Sequence, residues 1–216
     1  MRLLELFSGT GSVGRVAREM GWEVVSLDVC PKYSPDYVAD IMDFDFTIWS
    51  KGYFDFIWAS PPCQLYSIAP AQLFTADQRA QRAEDGNAVS RRTMEVIETL
   101  RPVWYAIENP WSSLLWKQGI FEHLTKRKVS YCMYGFPYRK NTCVATNLQF
   151  DAKVCKGKCG FIVEHAGHKY HLEVAKQGVS QHTPPGIQKT THTRDQLYRI
   201  PEQLIRDILP PLFRNE

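Results

Sequence analysis

The sequence predicts an α/β fold, a mainly parallel sheet with helices on both faces. Three observations carry that expectation. Short apolar runs recur along the first two thirds of the chain, a glycine-rich turn follows the first of them, and stretches of helical period lie between them. Parallel strands need crossover connections, and those crossovers cover the sheet.

The opening "RLLELF" is a short apolar strand, "SGTGSVG" a turn, and "RVAREMG" a helix with Val16, Ala17 and Met20 on one face, stopping at Gly21. Residues 23–29 and 54–60 are the next strands. Ser90 is placed to cap an amphipathic helix, "SRRTMEVIETL", and residues 103–110 form a fourth strand ending in turn residues. "GIFEHLTKR" (119–127) has the pattern of a helix, and "KVSYCMYG" (128–135) that of a strand. From about 151 to 189 Lys, Gly, His and Cys follow one another with no period. "RIPEQLIRDIL" returns to helix, with Pro201 early and Ile200, Leu204, Ile205 and Ile208 on one face.

At 216 residues, with 44% hydrophobic and 23% charged residues, the chain has the composition of one globular domain plus a small appendage, which sets aside disordered and fibrous classes. No apolar run is long enough to span a membrane, and "MRLLELFSGTG" meets glycine too early for a signal peptide, so a cytoplasmic protein is expected. Six cysteines there are free thiols, catalytic groups or metal ligands rather than disulfides. The net charge is only +3, yet residues 117–147 hold six Lys/Arg against Glu122 alone. That basic stretch is either a solvated surface or a track for phosphates.

Ligands of open α/β sheets bind beyond the carboxyl ends of the strands. Gly9, Gly11 and Gly14 follow the first strand, and Asp28 ends the second, 19 residues after Gly9. A glycine turn alone serves packing as often as binding; joined to an acid able to accept both hydroxyls of a ribose, it makes a nucleoside site. Cys63 and Glu108 each end a strand and should face one crevice. A thiol after Pro-Pro is on its own commonly structural, but beside a carboxylic acid it suits addition to an electron-poor ring, the acid relieving charge on a ring nitrogen.

"LFSGTGSVG", "SLDV", "ADI", "SPPCQ" followed by Ser67, and "IENP" stand in the order and spacing of the motifs of cytosine-C5 methyltransferases, and the chain resembles the short phage-type members of that family. The resemblance covers roughly residues 3–147 and the final helix. It implies a class I S-adenosylmethionine-dependent, Rossmann-like catalytic core over 1–150 and a short target-recognition segment over 151–190; the family's glycine-containing C-terminal motif is not found, and a C-terminal helix within 191–216 is expected to return to the first helix instead. The resemblance implies Cys63 as the nucleophile on carbon 6 of cytosine, Glu108 as the acid at ring nitrogen 3 and Asn109 as the residue that orients the Glu108 loop. The cofactor residues it implies are Phe7, Ser8, Gly9, Gly11, Asp28 with Val29, Asp40 with Ile41, and Pro61. Double-stranded DNA is the implied partner, a monomer acting in a bacterium or a phage-infected cell the implied setting. Because the target carbon lies inside the duplex, the base must be flipped out, and residues 64–86 have the polar character of a loop closing on DNA.

Two departures stand out. Pro110 replaces the family's valine, and the Gln-x-Arg-x-Arg motif is absent; "YGFPYRKNT" lies in its place and offers Arg139 to support the base pocket. In "CKGKCGFIVEHAGHKYH", Cys155, Cys159, His165, His168 and His171 include enough thiols and imidazoles for a tetrahedral zinc ion, with free thiols and solvated histidines as the alternative. Three other functions fit parts of the pattern: a transfer-RNA methyltransferase with the same motifs, an amino-methyltransferase, and a DNA-binding protein without catalysis. An amino-methyltransferase needs an aromatic residue where Cys63 stands, and the intact Cys63, Gln64 and Glu108 oppose loss of catalysis.

Overall fold

The computed structural model describes residues 1–66, 74–175 and 192–212. Ser67, part of the expected closing loop, and residues 176–190 of the expected recognition segment lie outside them. A seven-stranded sheet is built from β1 (Arg2–Leu6), β2 (Glu23–Asp28), β3 (Tyr37–Val38), β4 (Phe56–Ala59), β5 (Trp104–Pro110), β6 (Lys126–Ser130) and β7 (Asn141–Thr146), in the order β3-β2-β1-β4-β5-β7-β6. The first five run parallel; β7 lies antiparallel to both β5 and β6.

Strand period divides the core in two. Leu4 and Leu6 of β1, Ile57 and Ala59 of β4 and Ile107 of β5 face helix α2 (Ala76–Leu100), packing on Met94, Val96, Ile97 and Leu100. Leu3, Phe56, Trp58 and Ala106 face the other way, onto Val13, Val16 and Ala17 of α1 (Ser12–Glu19), with a terminal helix completing that layer. The central strands β1, β4 and β5 are buried on both faces over most of their length, which is why their apolar residues do not alternate with polar ones.

Glu5 is the exception inside β1. Its carboxyl is 3% exposed and accepts from the backbone N–H groups of Val13 (3.3 Å) and Gly14 (2.9 Å), two donors that the first turn of α1 leaves unpaired. Gly14 is required by that contact, since a Cβ there would come within 2.6 Å of Glu5 Oε2. Burial nonetheless dominates and raises the Glu5 pKa from 4.5 to about 7. The folded chain then holds a proton that the unfolded chain has released, so stability falls as pH rises from 4.5 to about 7, by at most roughly 3 kcal/mol. Glu5→Gln should flatten this part of the stability profile, measured by urea unfolding at successive pH values; an unchanged slope would mean Glu5 ionises normally.

Several elements differ from the sequence expectation, among them the strand expected over 128–135, which ends at Ser130 and gives way to a 3-10 turn, Tyr131–Tyr134. The helix expected to begin at Ser90 begins at Ala76, where Thr75 and Gln78 form a reciprocal capping box, so the expected loop over 64–86 is helical from Ala76 on. Its first turns are exposed and lack an apolar face, hiding them from a periodicity argument. Residues 119–127, expected as a helix, are turns leading into β6, because Lys126 to Ser130 pair with β7. The segment expected to be irregular contains a hairpin, β8 (Ile162–His165) and β9 (His168–His171), turned by Ala166 and Gly167 at positive φ. At the C-terminus, α3 (Arg194–Tyr198) precedes α4 (Glu202–Ile208). Leu204, Ile205 and Ile208 pack against α1, and Arg206 and Glu202 pair with Glu19 and Arg15. Among the described residues no helix is long and apolar enough to cross a membrane.

Candidate active site

Strand order reverses at β1, which has β2 on one side and β4 on the other, and a cavity of about 330 Å³ opens beyond the carboxyl ends of these strands. Three expected clusters meet there: Phe7, Ser8 and Gly9 from the turn after β1, Pro61 to Gln64 after β4, and Glu108 to Pro110 at the end of β5.

The first turn is held in a strained shape. Phe7 (φ 58°) and Gly9 (φ 46°) are both left-handed, the former costly for a residue with a side chain and characteristic of a functional turn. Asp28 fixes it, accepting from the N–H of Gly9 and of Cys30, each at 2.8 Å. A carboxylate has about four acceptor positions, so Asp28 keeps two for ligand hydroxyls. Asn109 Oδ1 is buried with no hydrogen-bond partner. A turn with open space over Gly9, a hydroxyl acceptor and an orphaned amide oxygen in one cavity fit a nucleoside cofactor such as S-adenosylmethionine. Gly11 does not line the cavity; it is the left-handed N-cap of α1. Val29, Asp40 and Ile41 also lie outside the lining. Val29 is exposed, Asp40 accepts from the N–H of Met42, and Ile41 is a core residue under α2 whose carbonyl accepts from Arg92.

Cys63 opens a short 3-10 turn, Cys63–Tyr66, which α2 pins from behind. Tyr66 is buried and hydrogen-bonded to Ser90 at 2.8 Å, while Arg82 donates to the carbonyl of Gln64. A Cβ on Gly86 would strike the Tyr66 ring at 2.8 Å, so that position of the helix admits no side chain. Asn109 Nδ2 donates to the carbonyl of Pro61 at 2.7 Å, tying the Glu108 strand end to the Pro-Pro-Cys turn. Burial raises the Cys63 thiol pKa; the charge of Glu108 adds to this and Lys140 opposes it.

Glu108 is 7% exposed, and its Oε1 accepts from the hydroxyl of Tyr131 at 2.9 Å. Tyr131 was not singled out by the sequence, because it reaches Glu108 from a 3-10 turn after β6. Lys140, not Arg139, lines the cavity: Arg139 is exposed, and Lys140 donates to the carbonyl of Leu197 (3.0 Å) over the Tyr131 ring. The far wall comes from Leu197, Tyr198 and Ile200. Asp195 clamps that wall to the cofactor side through Lys32 and Tyr33, at 2.5 and 2.7 Å.

Of the expected metal ligands, Cys155, Cys159 and His171 come together, and Cys132 joins them; the four ligand atoms lie within 4.8 Å of one another. His165 and His168 flank the turn at the exposed end of the β8–β9 hairpin, apart from this group, since His171 pairs with Ile162 at the opposite end.

No protein-family model matches the chain. It is 32% identical to a probable DNA (cytosine-5)-methyltransferase of frog virus 3 (isolate Goorha), over 97% of this chain and 99% of that one. It also resembles two solved structures: a putative DNA modification methyltransferase encoded within an E. coli prophage, and a methyltransferase of Entamoeba histolytica. Both have a TM-score of 0.51, at 17% and 16% identity, over 71% and 72% of this chain. This chain spans 49% and 57% of their lengths, so they attest the Rossmann-like methyltransferase fold alone. With a relative this similar along nearly its whole length, and Cys63 and Glu108 facing one cavity at the strand ends, the chain belongs to the DNA cytosine-C5 methyltransferase family.

Proposed function

We propose that this protein transfers a methyl group to carbon 5 of cytosine in double-stranded DNA, through a covalent adduct on Cys63. The observation that carries this reading is the convergence of Cys63, Glu108 and the Asp28-braced turn on one cavity.

S-adenosylmethionine, when bound, supplies an electrophilic methyl group. The residues of the chain prepare the ring to receive it. Cys63 Sγ, as thiolate, adds to carbon 6, and the displaced electron pair makes carbon 5 nucleophilic. Glu108 offsets the charge on ring nitrogen 3: with Oε1 held by Tyr131, Oε2 is the oxygen left to donate the proton. Once carbon 5 carries the methyl group, a base removes its proton and Cys63 departs as thiolate, restoring the ring. Lys140 opposes the rise in the Cys63 pKa by its charge, but burial and Glu108 outweigh it, so the thiol is the main form in the free site and the thiolate the reactive minority. The target base must leave the stack to enter the cavity.

Strand register supports a path for the DNA backbone. Lys128 pairs with Cys143, which pairs with Asn109, so the edge strand β6 is level with the cavity. Lys126 and Lys128 stand on one face over Trp116 and Trp111, and Arg127 stands on the other over Phe150. Lys126→Ala and Lys128→Ala should each reduce the salt dependence of DNA binding by a slope of about 0.9, independent of sequence. Unchanged slopes in both would move the DNA track elsewhere. The function itself is tested by bisulfite sequencing of DNA from cells expressing the chain or its Cys63→Ala variant. Protected cytosines with the first only are expected; none with either would refute the reading.

A further inference from the structure

We propose that Cys132, Cys155, Cys159 and His171 hold one zinc ion that staples the segment after β7 to the floor of the active site. This rests on the cluster geometry and not on the methylation chemistry, and its test needs no activity.

Three thiols and one imidazole form a closed Cys3His set, the composition of a structural zinc site. Zinc–sulfur bonds of about 2.3 Å and zinc–nitrogen bonds of about 2.0 Å give tetrahedral edges of roughly 3.5–3.8 Å. Cys155 Sγ and His171 Nε2 already stand 3.4 Å apart, and every other pair lies within 4.8 Å. Closure therefore needs side-chain shifts of about 1 Å at most. The four ligand positions come from three elements: Cys132 from the 3-10 turn after β6, Cys155 and Cys159 from a loop bent at Gly157 (φ 75°), and His171 from the end of β9. All six cysteines of the chain are free, so no disulfide does this work.

The segment needs such a tie. Residues 153–175 bury little apolar surface; Cys155, at 8% exposed, is their one buried residue, and a two-stranded hairpin is marginal by itself. Its seat is prepared: Ser130 Oγ accepts from the N–H of Cys155 at 3.1 Å, and Ser130 N–H donates to the carbonyl of Lys153 at 3.0 Å. The anchor also sits beside the chemistry, since Cys132 directly follows Tyr131, whose hydroxyl holds Glu108. Metal at Cys132 would fix the turn that presents Tyr131.

Elemental analysis of the purified full-length chain should find close to one zinc per molecule, released when a mercurial caps the thiols. Cobalt(II) in its place should give the intense visible absorption of a tetrahedral thiolate site. Cys132→Ser and His171→Ala should each lose the metal, and limited proteolysis should then cut within 153–175. His165→Ala and His168→Ala should keep it. Because a ligand variant can fail to fold, mercurial release and cobalt absorption from the unaltered chain decide the matter independently. Metal-free protein after expression with added zinc, a disulfide among these cysteines, or full zinc content in folded Cys132→Ser would each overturn the proposal.

Discussion

Cys63→Ala is expected to reduce methyl transfer to background while cofactor and DNA still bind. The substitution removes the thiol that adds to carbon 6, and without that addition carbon 5 of cytosine is too weak a nucleophile to accept a methyl group. Cys63→Ser should do nearly as badly. An ordinary thiol is a few per cent ionised at neutral pH, and burial with the Glu108 charge places Cys63 higher still, but a hydroxyl is far less acidic than either. The same reasoning gives a pH dependence: single-turnover rates of the wild type should climb with pH through the neutral range as the thiolate fraction grows. Substantial methylation by Cys63→Ala would remove the covalent step from the account.

Glu108→Gln should lower the chemical rate by about 10²–10⁴-fold, the span of a general acid, with cofactor affinity within a few-fold of wild type. Glutamine preserves the geometry: its carbonyl oxygen can still accept from Tyr131, and its amide can still donate toward ring nitrogen 3. What it cannot do is transfer the proton. A loss confined to the rate of a pre-formed complex marks a group acting in the transition state. Equal losses in binding and rate would instead make Glu108 a cytosine-binding residue only. The contrast is interpretable because Glu108 lies within β5, paired with Val144 on β7, so the strand holds its place when the carboxyl changes.

Much of this site is legible in sequence order because the fold puts strand ends in one place. The glycine turn, Asp28, Cys63 and Glu108 each lie at the carboxyl end of a parallel strand that is mainly apolar. What was not legible arrives from elements whose position depends on tertiary pairing. β7 enters antiparallel between β5 and β6, so Lys140 at its approach faces the cavity and Arg139 faces away. No local pattern distinguishes these two neighbours. Tyr131 and Cys132 lie beyond a strand that begins inside an apparent helix, 119–127; pairing with β7 overrode its helical pattern. Asp40 and Ile41, which the resemblance implies as adenine contacts, lie outside the cavity lining, Ile41 serving the core under α2. The clamp from Asp195 to Lys32 and Tyr33 joins positions more than 160 residues apart, which only the return of the C-terminal segment makes adjacent.

The most direct test of the central claim is trapping with DNA that carries 5-fluorocytosine at a site the enzyme methylates. Fluorine replaces the carbon 5 proton whose removal releases Cys63, so the adduct cannot resolve after methylation. In the presence of S-adenosylmethionine, wild-type protein should form a one-to-one complex with this DNA that survives denaturation, with Cys63 as the modified residue by peptide mass. Cys63→Ala should form none. Turnover of unmodified DNA without any trapped complex on the fluorinated site, or a complex that maps to another residue, would contradict the account.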